Sequence, residues 1–463
     1  MRIADDRTDT TDPETASEPT PRRARAYRIP HFPAWLTVVT LGGLALRLTF
    51  TWFGRRHQPI GKLTDNRWYW AAGKMIATGW GFGNPFVWGG QHRYVPSAGH
   101  PPVYPVFLGT LSWLGIETPF EQRLGSCVLG AVAIVFLALA AREIAGDIAG
   151  MIAAVLAALY ANLWINDAAL LSETPYVVLI SLFLWSAIRC WKRPTWGRFA
   201  WMSLWIGLAS LTRSEAIFLY PLAVVPIALR IPNASWSRRF KMVGVAALTA
   251  AIVIGPWVIY NNTGRFKHHI FIVTGSGVAM TFGDCDAGYS GTYLGYWSWT
   301  CGIKGFQNTD DETVLDTEAR KEAQHYVRTH LGELPKVTAA RVGRLFQVYR
   351  VRQSIQFDTF FERRGRWPSR IALWQYYPIT LLAIAGAVVM WRRKLPISPW
   401  VALTISVIVA AALTFGVTRY RAGFDAAAVV LAAVALDAAI RWTRRRLGAE
   451  NADEGLTLGS ARS

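Results

Sequence analysis

What most constrains this chain is a recurring pattern: runs of about 15–22 apolar residues separated by short polar stretches. A bilayer's hydrocarbon core, about 30 Å thick, is crossed by about 20 apolar residues in an α-helix. No water is present there to pair with free N–H and C=O groups, so the backbone must satisfy itself within each helix. The expected fold is therefore an all-α polytopic membrane protein. Composition agrees, since 52% of the 463 residues are hydrophobic and only 17% are charged, which excludes an ordinary soluble domain. The net charge of +19 would suggest nucleic acid in a soluble protein. Here the basic clusters alternate with apolar runs, as membrane topology demands, and no nucleic-acid partner is expected.

Basic loops mark the cytoplasmic side. The segment Arg22 to Arg28 places the N-terminus inside, as do the clusters at 189–198, 230–241, 391–394 and 441–446 for their own loops. Those five constraints fit about ten spans, at roughly 34–53, 122–142, 148–163, 174–191, 199–212, 216–230, 242–260, 371–391, 397–417 and 422–441, with both termini cytoplasmic. The apolar stretch 103–115 is too short to cross and reads as an interfacial helix behind a Pro-Pro pair. A cleaved secretory leader has a short basic region directly before its apolar core, unlike the long polar start of this chain, so the first run is expected to remain as an anchor.

The organisation that follows is a disordered cytoplasmic tail (1–33), a catalytic membrane module (34–260) with a first extracytoplasmic loop (54–121), a mixed extracytoplasmic domain (261–370), C-terminal membrane helices (371–441) and a second cytoplasmic tail (442–463). The stretch "TDDETVLDTEARKEAQHYVRTHLG" has the polar cap, acidic first turn and closing glycine of a helix. Cys285 and Cys301 in the outer domain are placed to form a disulfide in an oxidising compartment, with two free thiols as the alternative. Cys127 and Cys190 fall in spans and read as small packing residues. No spacing of ligands suggests a metal.

Charged residues collect at the expected outer ends of the spans: Asp65, Asp167, Glu173, Arg213 with Glu215, and Arg419 with Arg421, while Arg47 lies within the first span. Unpaired ions near hydrocarbon are costly, so such a collection on one side points to a shared cavity. Arginine's planar fork suits phosphate oxygens and stays charged. Hydrolysis of a glycoside needs two carboxylates, because the leaving alkoxide must be protonated. Transfer of a sugar from a lipid phosphate needs less: the phosphate leaves as a stable anion, one carboxylate takes the acceptor's proton, and cations stabilise the departing charge. Attack opposite the phosphate inverts the anomeric carbon. Trp68, Tyr69 and Trp70 offer a face for a sugar or prenyl chain.

The motifs "TDNRWYWAAGKMIATGWGF", "GHPPVYPVFLGTL", "LLSETPY", "LTRSEAIFLYP" and the late "TRYR" occur in an order that resembles the GT-C membrane glycosyltransferases. The resemblance is to the branch with the protein O-mannosyltransferases and the lipid A aminoarabinose transferases. It implies a polyprenyl-phosphate donor carrying one sugar, an envelope glycan, lipid or protein acceptor, no cofactor or metal, and a multi-pass protein of the plasma membrane acting on its extracytoplasmic face. Asp65 falls at the family's catalytic carboxylate and Glu173 at its second acidic position. His100 falls where relatives carry a basic residue near the lipid phosphate, and Arg419 and Arg421 match the basic late turn. The substrate-binding set expected on this reading is Arg67, Tyr69, His100, Tyr104, Arg213, Arg419, Tyr420 and Arg421. Asn66 stands where many relatives have a second acid, and Gly99 where the aminoarabinose transferases have glutamate. A lipid-linked sugar flippase and a polyprenyl-diphosphate glycan ligase are the alternatives. Transporters favour charge at the bilayer midplane on repeat-related helices, and no repeat is present.

Overall fold

The computed structural model describes residues 28–62, 64–302 and 309–459, so most of the N-terminal tail expectation lies outside the described residues. Helix α1 (Phe32–Arg55) is followed by α2 (Asp65–Ala77), a two-turn helix Pro85–Gln91 and α3 (Val103–Trp113). Then come α4 (Pro119–Ala145), α5 (Asp147–Leu159), α6 (Glu173–Lys192), α7 (Trp196–Ser210), α8 (Ser214–Leu229) and α9 (Trp236–Asn262). The segment after α9 holds α10 (Ser276–Gly283), α11 (Glu312–Thr329), α12 (Leu334–Leu345) and α13 (Val351–Phe360). The chain closes with α14 (Arg366–Arg392), α15 (Ser398–Leu413) and α16 (Ala422–Gly459). No strand occurs among the described residues, so the domain expected to be mixed is helical, with its glycine-rich stretch held by side chains and a Cys285–Cys301 disulfide.

This is a multi-pass membrane protein. Among the described residues six helices are long and apolar enough to cross a bilayer: α1, α4, α6, α9, α14 and the Thr418–Leu447 stretch that includes most of α16. The bent pair Asp147–Leu159 and Ala161–Ala169 makes a seventh if it counts as one span. The remaining expected spans, α7, α8 and α15, are helical but short: 15 or 16 residues at about 1.5 Å each give about 24 Å, against about 30 Å of hydrocarbon. Ten crossings are therefore not established. In α8 two prolines break the register, so a 3₁₀ turn, a π turn and one α turn succeed each other. Helix α16 also runs past 441, where a tail was expected.

The core is built on small residues. Ala133, Ala138 and Ala141 of α4 and Ala149, Ala153 and Ala157 of α5 are all fully buried, letting these helices approach closely. Gly386 does the same between α14 and α16: a Cβ there would lie 1.9 Å from the Leu431 carbonyl oxygen.

The 58° bend after Leu159 explains Arg47. Breaking a helix frees its last carbonyls, which must find partners inside the protein. Arg47 supplies them, donating to the carbonyls of Ala157 (3.3 Å) and Ala158 (3.4 Å) and of Gly43 on its own helix (3.0 Å). Asp167 neutralises it at 2.9 Å, and both side chains are only 1% exposed. Thr174 donates to the same carboxylate at 2.8 Å. Arg47 and Asp167 thus brace a broken helix instead of joining the cavity expected at the span ends.

Candidate active site

Asp65 is the first residue of α2, where the partial positive charge of a helix N-terminus favours a carboxylate. Its side chain is 35% exposed and looks into a cleft of about 530 Å³. The acid is nevertheless held: Arg419 Nη2 lies 2.5 Å from Oδ2, and His100 Nε2 lies 3.8 Å from Oδ1. Burial pushes the carboxyl up, but Arg419, followed by His100 and Arg213, outweighs it and holds the pKa at about 2.

Arg419 comes from the 3₁₀ turn Thr418–Arg421 that precedes α16. Its guanidinium reaches three carboxylates at once: Asp65, Glu362 (Nε to Oε2, 2.9 Å) and Glu173 (Nη1 to Oε1, 3.9 Å). Glu173, the first residue of α6, is fully buried and takes a second contact from Arg213 at 2.6 Å. Arg213 in turn holds Glu215 at 2.5 Å and lies over the Tyr420 ring, 4.8 Å from its centre. The turns before α8 and α16 therefore meet at one point, although about 200 residues separate them in the sequence.

His100 is set by packing. Its ring lies 4.5 Å from Trp68 and 4.7 Å from Tyr69, and Tyr69 Oη shares a 3.1 Å hydrogen bond with Nδ1. Burial lowers its pKa, with Asp65 pulling the other way. The strand of backbone leading to it is clamped by Glu312 at the start of α11, which accepts from Ser97 Oγ (2.6 Å), the Ala98 N–H (3.1 Å) and Thr274 Oγ1 (2.8 Å).

Of the residues expected from sequence, Asp65, Glu173, Tyr69, His100, Arg213, Arg419 and Tyr420 converge on this site. Tyr104 is a layer further in, fully buried behind Tyr69 and hydrogen-bonded to Ser126 at 3.0 Å. Arg421 is not brought to the cleft. It turns into the helix core, where it meets Asp425 at 3.2 Å and lies over Tyr376, because successive residues of a tight turn point in different directions. The side chain of Arg67 makes no hydrogen bond or ion pair among the described residues. Trp70 points away and donates to the Glu117 carbonyl at 2.8 Å.

Sequence reasoning missed Glu362 and the aromatic wall. Phe282, Trp297, Trp299, Phe361 and Phe415 line the side of the cleft facing the charges, with Lys62 and Arg363 at its edge. Burial pushes Glu362 up to about 7, against the pull of Arg419. Its only sequence signal is an acid between two phenylalanines and a basic run, "FFERRGRW", just before a span. Two carboxyls with pKa values set far apart by their surroundings are a mark of acid–base sites. Among the described residues no group of three or more potential metal ligands converges.

Comparison with known proteins follows the same lines. Residues 99–260, from the residue before His100 through α9, match the sequence pattern of the dolichyl-phosphate-mannose-protein mannosyltransferases. The solved structure of Archaeoglobus fulgidus oligosaccharyltransferase AglB with an inhibitory peptide and a dolichol-phosphate superposes with a TM-score of 0.52 at 14% identity, over 91% of this chain and 52% of that one. The apo form of the Archaeoglobus fulgidus enzyme gives 0.51, again at 14% identity with 91% and 52% coverage. This chain has the GT-C fold. It spans about half the length of these oligosaccharyltransferases, and the segment matched by the mannosyltransferase pattern contributes His100, Glu173, Arg213 and Glu215 to the site. Cupriavidus metallidurans ArnT bound to undecaprenyl phosphate is also similar, with a TM-score of 0.39 at 16% identity, covering 88% of this chain and 77% of that one. A search of curated proteins gives no match.

Proposed function

We propose that this GT-C chain is an integral membrane glycosyltransferase that moves one sugar from a polyprenyl-phosphate donor to an acceptor on the extracytoplasmic face, with inversion. The observation that carries the reading is Asp65: a partly exposed carboxylate at a cleft, held at 2.5 Å by an arginine that itself lines the cleft. The match to a family acting with dolichyl-phosphate-mannose supports the donor class, as does the dolichol-phosphate bound by AglB. The Cys285–Cys301 disulfide supports an oxidising outer compartment.

Arg419 masks Asp65 at the cleft. A donor phosphate arriving beside Arg419 competes for the same N–H groups, and charge-assisted contacts to phosphate are strong. Asp65 then loses its main stabilising partner while the surrounding protein still penalises its charge, so its proton affinity rises. The acid becomes a base when the leaving group is in place. It takes the proton of the acceptor hydroxyl as that oxygen bonds to the anomeric carbon, the bond to the donor phosphate breaks, and Arg419 faces the charge that develops. The aromatic wall supplies a surface for sugar rings or the isoprenoid chain.

The test is transfer by purified protein from a labelled polyprenyl-phosphate sugar. Asp65→Asn is expected to lower turnover by about 10²–10⁴, the usual contribution of a general base, while leaving donor binding and melting behaviour intact. Turnover within a few-fold of wild type would end the role given to Asp65. The likeness of the fold to an oligosaccharyltransferase favours a second reading, a ligase using a polyprenyl diphosphate. Competition separates the two: monophosphate lipid inhibits best on the first reading, diphosphate lipid on the second.

A further inference from the structure

A second cleft, of about 450 Å³, lies between α13 and the start of α14. That is within the roughly 300–1,000 Å³ of small-ligand sites. Three arginines enter it: Arg352 from α13, and Arg366 and Arg370 from the first turns of α14. Positions 366, 370 and 374 are spaced four apart, and so are 352 and 356, so each set lies on one helix face. The two faces meet across the cleft, whose floor is apolar and includes Ile355 and Leu373.

Among the described residues none of these three arginines has a hydrogen-bond or ion-pair partner. The carboxylates of the same stretch are used elsewhere. Asp358 accepts from Thr418 at 2.6 Å and faces Arg364, and Glu362 holds Arg419. The first turn of α14 contains no acid, so two cations sit at the positive end of a helix, an arrangement opposed by the macrodipole. Three like charges converge there, with no ion-pair partner for them among the described residues. An anion is what the site lacks.

Its setting selects the anion. Helix α14 is one of the six membrane-crossing helices, and the cleft is at its first turns. Trp374 lines it and is 76% exposed, as aromatic residues are at head-group depth. Trp374 continues the arginine face along the span, where an acyl chain would lie.

We propose that this cleft binds the phosphate of an anionic membrane phospholipid, with Arg352, Arg366 and Arg370 around the phosphate and Trp374 against the first acyl carbons. The site is independent of the sugar-transfer chemistry and shares no residue with the catalytic cleft.

Full-length protein in mixed micelles of phosphatidylglycerol and phosphatidylcholine, examined by native mass spectrometry, provides the test. Wild type is expected to retain phosphatidylglycerol in preference to phosphatidylcholine. Each Arg→Gln change at 352, 366 or 370 is expected to reduce that preference about fivefold, the usual value of one basic residue near an anionic surface. Because these side chains are exposed, melting should be unchanged, and R370K should retain more lipid than R370Q. Equal retention by wild type and the triple glutamine variant overturns the proposal. So does displacement of the lipid by an equal concentration of inorganic phosphate, which would make this a site for a free anion.

Discussion

Glu362→Gln isolates the least expected group in the catalytic cleft. The glutamate is 8% exposed and titrates at about 7, where an ordinary glutamate titrates at 4.5. Ionising it in the folded protein therefore costs roughly 3 kcal/mol, at about 1.4 kcal/mol per pH unit. The sign follows from linkage: the folded state binds the proton more tightly than the unfolded state, so stability is fully present below about 4.5 and is lost as pH rises through about 7. Glutamine keeps the shape of the side chain and an oxygen facing Arg419 but carries no charge. Wild type and variant should melt alike at about pH 4, and the variant should be more stable by up to about 3 kcal/mol at about pH 8. His100 is present in both proteins and drops out of the difference, and Asp65, at about 2, is ionised throughout. Intrinsic tryptophan fluorescence during thermal unfolding in detergent reads the gap at each pH. The same ionisation should raise the KM for donor above about pH 7 in wild type, because the anion competes with phosphate for Arg419, and this rise should vanish in the variant. A gap that is absent, or that favours wild type at high pH, refutes the account of Glu362.

Other parts of the molecule make separate commitments. Arg47→Leu leaves Asp167 buried without its cation and should cost about 3–5 kcal/mol, seen as loss of the monodisperse protein on mild heating. Adding Asp167→Leu should restore part of that stability, since no buried charge is then left unpaired. Gly386→Ala forces α14 and α16 apart, because its Cβ would meet the Leu431 carbonyl oxygen at 1.9 Å, and overpacking of this kind costs about 1–3 kcal/mol or more in melting experiments. Removing the Cys285–Cys301 link, which closes a loop with a separation of 16 residues, should cost about 3 kcal/mol. Reductant should lower the melting temperature of wild type and leave a Cys285→Ser, Cys301→Ser variant unmoved.

Much of this site was legible because hydrocarbon is intolerant of charge. Asp65, Glu173, Arg213 and Arg419 interrupt or end apolar runs, so each announces itself against its surroundings. Arg47 announces itself equally, yet it braces the bend after Leu159, and only the three-dimensional path of α5 reveals the carbonyls it serves. Arg419 and Arg421 cannot be told apart in "TRYR"; the turn that separates their directions is set by contacts with Asp65 and Asp425, far apart in the chain. Glu362 sits in a run of charged residues that reads as a solvated loop. Its burial comes from the packing of Trp297, Phe361 and Phe415, a long-range event with no local pattern. Span number was the least legible property, since α8 and α15 have the right polarity but fall short in length.

A single guanidinium shared by three acids has a consequence for how this site tolerates change. Replacing any one of Asp65, Glu173 or Glu362 alters the charge balance felt by the other two through Arg419. Effects of substitutions in one such network do not add. A change at Glu362 that is harmless beside the present Glu173 becomes costly beside a glutamine there. These positions are therefore expected to drift together in related chains, as a block with few accepted combinations, while the aromatic wall across the cleft is free to vary residue by residue.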